Sequence, residues 1–146
     1  MPQVSRRTLS RDTEKKLFAI FFKSLARLSN PTDIEKFLGD LLGPVEKTML
    51  AKRLAIALLL ARGYQYETIK DILKVSQETI ARVNIALHYK GEGYQMVIQK
   101  ILRDEKLEEV FNKIEDTTIE ILPNSSVKRV MERDRKANRK PKTALG

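Results

Sequence analysis

The side chains best suited to chemistry in this 146-residue chain are hydrogen-bonding groups, not nucleophiles or metal ligands. A cluster of them runs through Lys70, Lys74, Ser76, Gln77, Glu78, Thr79, Ala81 and Arg82. Set along a helix that begins after Ser76, Gln77 can pair with adenine through two hydrogen bonds. Glu78 can accept from cytosine, and Thr79 can bond either way or touch a thymine methyl. Ala81 is small enough to allow close approach, and Lys70, Lys74 and Arg82 can neutralise phosphates. Other chemistries lack their residues. The absence of cysteine excludes disulfides, zinc fingers, iron–sulfur clusters and thiol nucleophiles. The one histidine, His88, leaves almost nothing for a histidine-ligated metal or a serine–histidine triad, and reads as a surface or interface residue. Carboxylates are plentiful but sit on helix surfaces beside basic partners, with no isolated pair. No enzymatic activity, metal or cofactor is expected.

The elements that must position this cluster follow from apolar spacing. Ile69 and Leu73, four apart, line one face of a short helix. Lys74-Val75-Ser76 is a tight connection with Val75 as its one apolar residue, and Ser76 caps a second helix. There Ile80, Val83 and Leu87 fall within a narrow arc, so the far side carries Glu78, Arg82, Ile85 and Tyr89. Short helix, three-residue turn and longer helix make a helix-turn-helix over residues 66–89, whose second helix presents its N-terminal residues to a major groove. The turn position that often holds glycine is Lys74. The net charge of residues 64–90 is only +1, and apolar spacing alone is equally that of a helical hairpin with a wet polar face. Tyr64, Tyr66 and Tyr89 read as packing residues, not base-stacking platforms.

The rest of the chain also reads as helical. Leu17, Phe18, Phe21, Phe22, Leu25 and Leu28 form one broad stripe between Asp12 and Ser29. Asn30-Pro31 ends it, and Thr32-Asp33-Ile34-Glu35 reads as a capping box for a short helix. Gly43-Pro44 breaks that helix and starts a third, from Pro44 to Arg62, with Gly63 as a left-handed cap. Leu54 to Ala61 is apolar on all sides, which predicts a helix enclosed on all sides. A partner subunit or the centre of a monomeric bundle would each do this. Beyond Tyr94, Met96, Val97, Ile98, Ile101 and Leu102 form a helix. Leu107, Val110, Phe111 and Ile114 repeat the pattern with an offset, as a second helix or a bent continuation. Thr117 to Leu122 is the only β-like stretch, closed by Pro123-Asn124-Ser125.

Charge divides the chain differently. Of 28 basic and 19 acidic residues, eight basic and two acidic lie in 127–146, and five basic and two acidic in 1–16. The remaining 110 are neutral. Basic ends on a neutral body suit a polyanion, or a solubilising tail. The expected organisation is a basic N-terminal arm over 1–11, a helical domain over 12–103, a helical extension over 104–124 and a mobile basic tail over 125–146. The longest apolar run is too short for a membrane span, and no apolar signal core follows Arg6-Arg7. A cytoplasmic, nucleoid-associated protein with no membrane partner is expected.

Three groups of residues carry a family resemblance: Leu42-Gly43-Pro44-Val45-Glu46 with Leu50-Ala51-Lys52-Arg53-Leu54, Gly63 to Ile69, and above all Val75 to Asn84, continuing through Leu87 to Gly91-Glu92-Gly93-Tyr94. Over residues 37–101 the chain resembles the Trp repressor superfamily, in its YerC/YecD-type branch. The resemblance implies an all-α, intertwined homodimer. Its paired helix-turn-helix units would enter successive major grooves of double-stranded DNA, as a sequence-specific transcriptional regulator and a repressor. Lys70, Gln77, Glu78, Thr79 and Ala81 match the family's DNA-contact positions, and only Lys70 and Thr79 keep the residue type, so a different operator is expected. Arg53 and Arg82 match the two arginines that flank the corepressor's indole, a candidate effector pocket. Gly43 replaces a threonine at the pocket mouth. Val83 replaces a glycine and fills space an indole needs, so tryptophan is not the expected corepressor. Structural roles at a dimer seam are the other reading of both arginines. The alternative function is a charge-driven nucleic-acid or ribonucleoprotein module that uses its basic tail.

Overall fold

In the computed structural model the described residues are 7–121 together with 129, 132, 133 and 136. The expected mobile tail lies almost wholly outside them, as does the start of the basic arm. Seven helices and no strand occur among the described residues. They fall into two compact units, one reaching to Lys47 and the other starting at Thr48. Among the described residues no helix is long and apolar enough to cross a membrane.

The first unit holds helix α1, Arg11–Ala26, and helix α2, Pro31–Leu41. The Ser10 hydroxyl caps α1 by accepting from the Thr13 N–H at 3.2 Å, and Asp12 and Glu14 complement the helix dipole in its first turn. The helix stops at Ala26, two residues short of the stripe's last member, Leu28, where the Arg27 N–H closes back on Ser24 and Leu25. Neither α1 nor α2 has a buried residue. Phe18 and Phe22 stack one turn apart, with ring centroids 6.0 Å from each other. The capping box expected at Thr32 is replaced by a cap two residues earlier. Asn30 Oδ1 accepts from the Thr32 N–H at 2.9 Å, and Pro31 is the first helical residue. A proline at that position has its φ preset for a helix and no N–H to leave unpaired, so asparagine before it is the natural start.

Helix α3, Pro44–Ala61, begins in the same way. The Glu46 carboxylate accepts from the Gly43 N–H at 2.8 Å, half of a capping box. Its end is a Schellman motif. Gly63 takes φ 80°, its N–H donates to the Leu60 carbonyl, and the Tyr64 N–H donates to the Leu59 carbonyl. The apolar run of α3 is only partly enclosed. Ile56, Ala57, Leu58 and Leu59 are buried, whereas Leu54 is 37% exposed and Ala61 is exposed. The buried four form the floor of the second unit's core.

Four further helices complete that unit: α4 (Tyr66–Leu73), α5 (Gln77–Tyr89), α6 (Glu92–Arg103) and α7 (Glu105–Ile121). The α3 residues pack with Tyr64, Ile69, Ile80, Val83, Leu87 and Ile98, and Tyr66, Ile72, Leu73, Val75, Tyr94, Ile101 and Leu102 close the edges. Burial of each large apolar side chain contributes about 1.5–3 kcal/mol. The α6–α7 junction is a break and not a bend. Asp104 leaves the helical conformation, and its carboxylate caps α7 by accepting from the Lys106 N–H at 3.0 Å. The β-like stretch Thr117–Leu122 is corrected by this helix, which runs through Ile121. β-Branched residues cost a helix only tenths of a kcal/mol each, too little to stop one already propagating from Asp104. A part-buried attachment joins α7 to the end of α3. The Arg62 guanidinium donates to Asn112 Oδ1 at 2.9 Å and lies 3.6 Å from the Glu108 carboxylate.

Candidate nucleic-acid interface

The α4–turn–α5 unit is built as its apolar spacing predicts. Ile69, Ile80, Val83 and Leu87 are buried, and Leu73 and Val75 pack against them. The chain reverses at Lys74, which holds φ 52° and ψ 53°. This left-handed conformation ordinarily falls to glycine and costs a residue with a Cβ about 1–2 kcal/mol. Val75 then drops onto the core and Ser76 takes the cap. Its Oγ accepts from the Thr79 N–H at 3.2 Å and lies 2.9 Å from Thr79 Oγ1. A capped N-terminus worth about 1 kcal/mol therefore sits at the head of the outward-facing helix.

The expected contact residues share this head and its neighbourhood. Lys70 on α4 and Lys74 in the turn are exposed. Ser76, Gln77, Glu78 and Arg82 are exposed, while Thr79 and Ala81 are half-buried. Glu78 and Arg82 form an ion pair one turn apart, at 2.5 Å, with both side chains largely in solvent. Such a pair contributes about 0.3–0.5 kcal/mol, so a phosphate could recruit Arg82 at small cost. The Gln77 side-chain amide donates from Nε2 to the Glu67 carboxylate. Glu67 was not among the residues singled out from sequence. It stands ten positions before Gln77, too far apart along one helix or one strand for contact, so only the path of the turn brings the two together.

The remaining expectations separate. Arg53 is exposed on α3, and Arg82 is engaged by Glu78. Val83, at the position where the resemblance implies room for an indole, is buried in the core with 4% of its surface exposed. Tyr64 is buried and Tyr66 half-buried, as packing residues should be. Tyr89 is a correction: it is 82% exposed, because it continues the solvent-facing line of Glu78, Arg82 and Ile85 past the end of the core arc. His88 is exposed, with Nδ1 2.8 Å from the Asn84 carbonyl one turn back. Among the described residues no group of three acidic or histidine side chains could hold a metal ion.

Comparison with known proteins agrees with this geometry. A family model described as Trp repressor protein matches residues 16–102. The uncharacterized protein YerC of Bacillus subtilis (strain 168) is 31% identical over 84 residues, covering 58% of this chain and 81% of YerC. A crystal structure of a candidate Trp repressor from Staphylococcus aureus superposes with a TM-score of 0.59 at 24% identity, over 66% of this chain and 98% of that one. The residues matched by the family model include the whole of α4 and α5. The family model stops before α7.

Proposed function

Because this chain belongs to the Trp repressor family of helix-turn-helix DNA-binding regulators, we propose that it binds a specific operator in double-stranded DNA as a homodimer and represses transcription from the cytoplasm. The observation that carries this reading is the α4–α5 unit itself. Buried Ile69, Ile80 and Val83, with Val75 packed against them, hold an outward helix whose capped N-terminus offers Gln77, Glu78 and Thr79. Lys70, Lys74 and Arg82 supply the phosphate contacts that fix register, and the α5 side chains supply base contacts. Two such helices in a symmetric dimer would meet half-sites about 34–36 Å apart. The exposed apolar residues of α1 supply a surface for the second subunit. The buried Val83 argues against tryptophan as corepressor. Arg53 and Arg82 are proposed as contacts to phosphate or to an anionic effector. The protein is proposed to have no catalytic role.

The test is selection from random duplex DNA at physiological salt, by the full chain and by a form lacking residues 127–146. A palindrome enriched by both forms is the expected result. Absence of enrichment by either form overturns the reading. Retention that is independent of sequence and vanishes with residues 127–146 would establish the charge-driven alternative instead.

A further inference from the structure

We propose that Glu67 sets the base preference of this interface by fixing which way round the Gln77 side-chain amide sits. The proposal rests on the DNA-binding reading above. Both residues are exposed, Glu67 in the first turn of α4 and Gln77 at the first position of α5. The turn through Lys74 brings them into hydrogen-bond contact.

An ionised carboxylate can only accept, so it must face the amide nitrogen and never the amide oxygen. One N–H of Gln77 is thereby used. With the N–H anti to Oε1 given to Glu67, the other lies on the same side as Oε1, and the two point away together as a donor beside an acceptor. That pair matches adenine, which presents its N6 amino donor beside the N7 acceptor. Guanine presents two acceptors, O6 and N7, and is matched by an amide turned to offer its nitrogen alone. A glutamine free to flip reads either purine. Held by Glu67, it reads adenine.

Glu67 touches no base in this scheme and is a positioning residue. Its negative charge also opposes the phosphates, which gives its removal two effects of opposite sense. Overall affinity should rise, because a like charge has left the interface. Discrimination at one base position should fall, because the amide can turn. A residue that merely supported the fold would move both in the same direction.

The experiment uses the full chain as wild type, Glu67→Gln, Gln77→Ala and the double variant. Glu67→Gln is informative because glutamine can accept or donate, and so keeps a partner for Gln77 without dictating its orientation. Selected duplexes first locate the base pair whose preference depends on Gln77. At that position Glu67→Gln should lower the adenine-over-guanine ratio about tenfold, leave other positions unchanged and tighten binding generally. The double variant should discriminate no worse than Gln77→Ala alone. An unchanged ratio in Glu67→Gln, with a site selected by the wild type, overturns the proposal and leaves the DNA-binding reading intact. Selection of no site by the wild type overturns both. A DNA-free readout stands beside these. The side-chain amide resonances of Gln77 should move in Glu67→Ala, and their failure to do so overturns the proposal whatever the DNA result.

Discussion

At Lys74 and Gly91 backbone geometry constrains residue choice directly, and in opposite senses. Lys74 holds a left-handed conformation that glycine would adopt freely. Lys74→Gly should stabilise the fold by about 0.5–1 kcal/mol after glycine's own entropy cost, read as a raised denaturation midpoint at constant slope. The same change removes a cation proposed above to neutralise phosphate. The slope of log affinity against log salt should then fall by about 1.8 for the dimer, about 0.9 for each Lys74, so stability and DNA affinity move apart. Gly91 joins α5 to α6, and a Cβ there would lie 1.7 Å from the Leu87 carbonyl oxygen. Because backbone and not a flexible side chain is in the way, Gly91→Ala should cost about 1–3 kcal/mol or more, measured by urea unfolding. The composition of the cluster from Lys70 to Arg82 is legible in the sequence because each side chain's hydrogen-bonding capacity is intrinsic to it. The Gln77–Glu67 bond is not, since it depends on where the turn sends the chain.

Helices show the same division between what spacing conveys and what it leaves out. The α4–α5 pair is readable from Ile69, Leu73, Ile80, Val83 and Leu87 because its packing repeats with the helical period. Ser76 as its cap and Gly63 as a left-handed stop are readable because few residues suit those places. Thr32 misleads because two cap signals lie close together and Pro31 decides between them. Residues 117–121 mislead because side-chain propensity is weaker than continuation of a helix. Helix α7 is present in the apolar pattern, but its attachment is not. Arg62 reaches it from 46 and 50 residues away, with 11% of its side chain exposed. Arg62→Ala should cost about 1.5–3 kcal/mol, the range for hydrogen bonds to a charged group. Limited proteolysis should then cut within α7 before the α3–α6 core, and equal cutting in both proteins would refute the docking role.

At the scale of the whole molecule, the exposed apolar residues of α1 set the first unit apart from the second, which owns a buried core. Leu17, Phe18, Ile20 and Phe22 each have about half or more of their surface in solvent, more than a lone helical pair would retain without a partner. If a second subunit covers them, Phe22→Asp should convert a dimer to a monomer in sedimentation equilibrium and abolish palindrome binding. If they stay wet, the substitution should change stability by under about 0.5 kcal/mol and leave the mass unaltered. The most extensive helix-to-helix contacts in the second unit join neighbours in sequence: α4 with α5, α5 with α6, and α6 with α7. Little loop must close before each contact forms, so that unit should fold in microseconds to milliseconds. On a growing chain, each helix would find its partner almost as soon as both have emerged, and the outward helix would be set in place before the last residues are made.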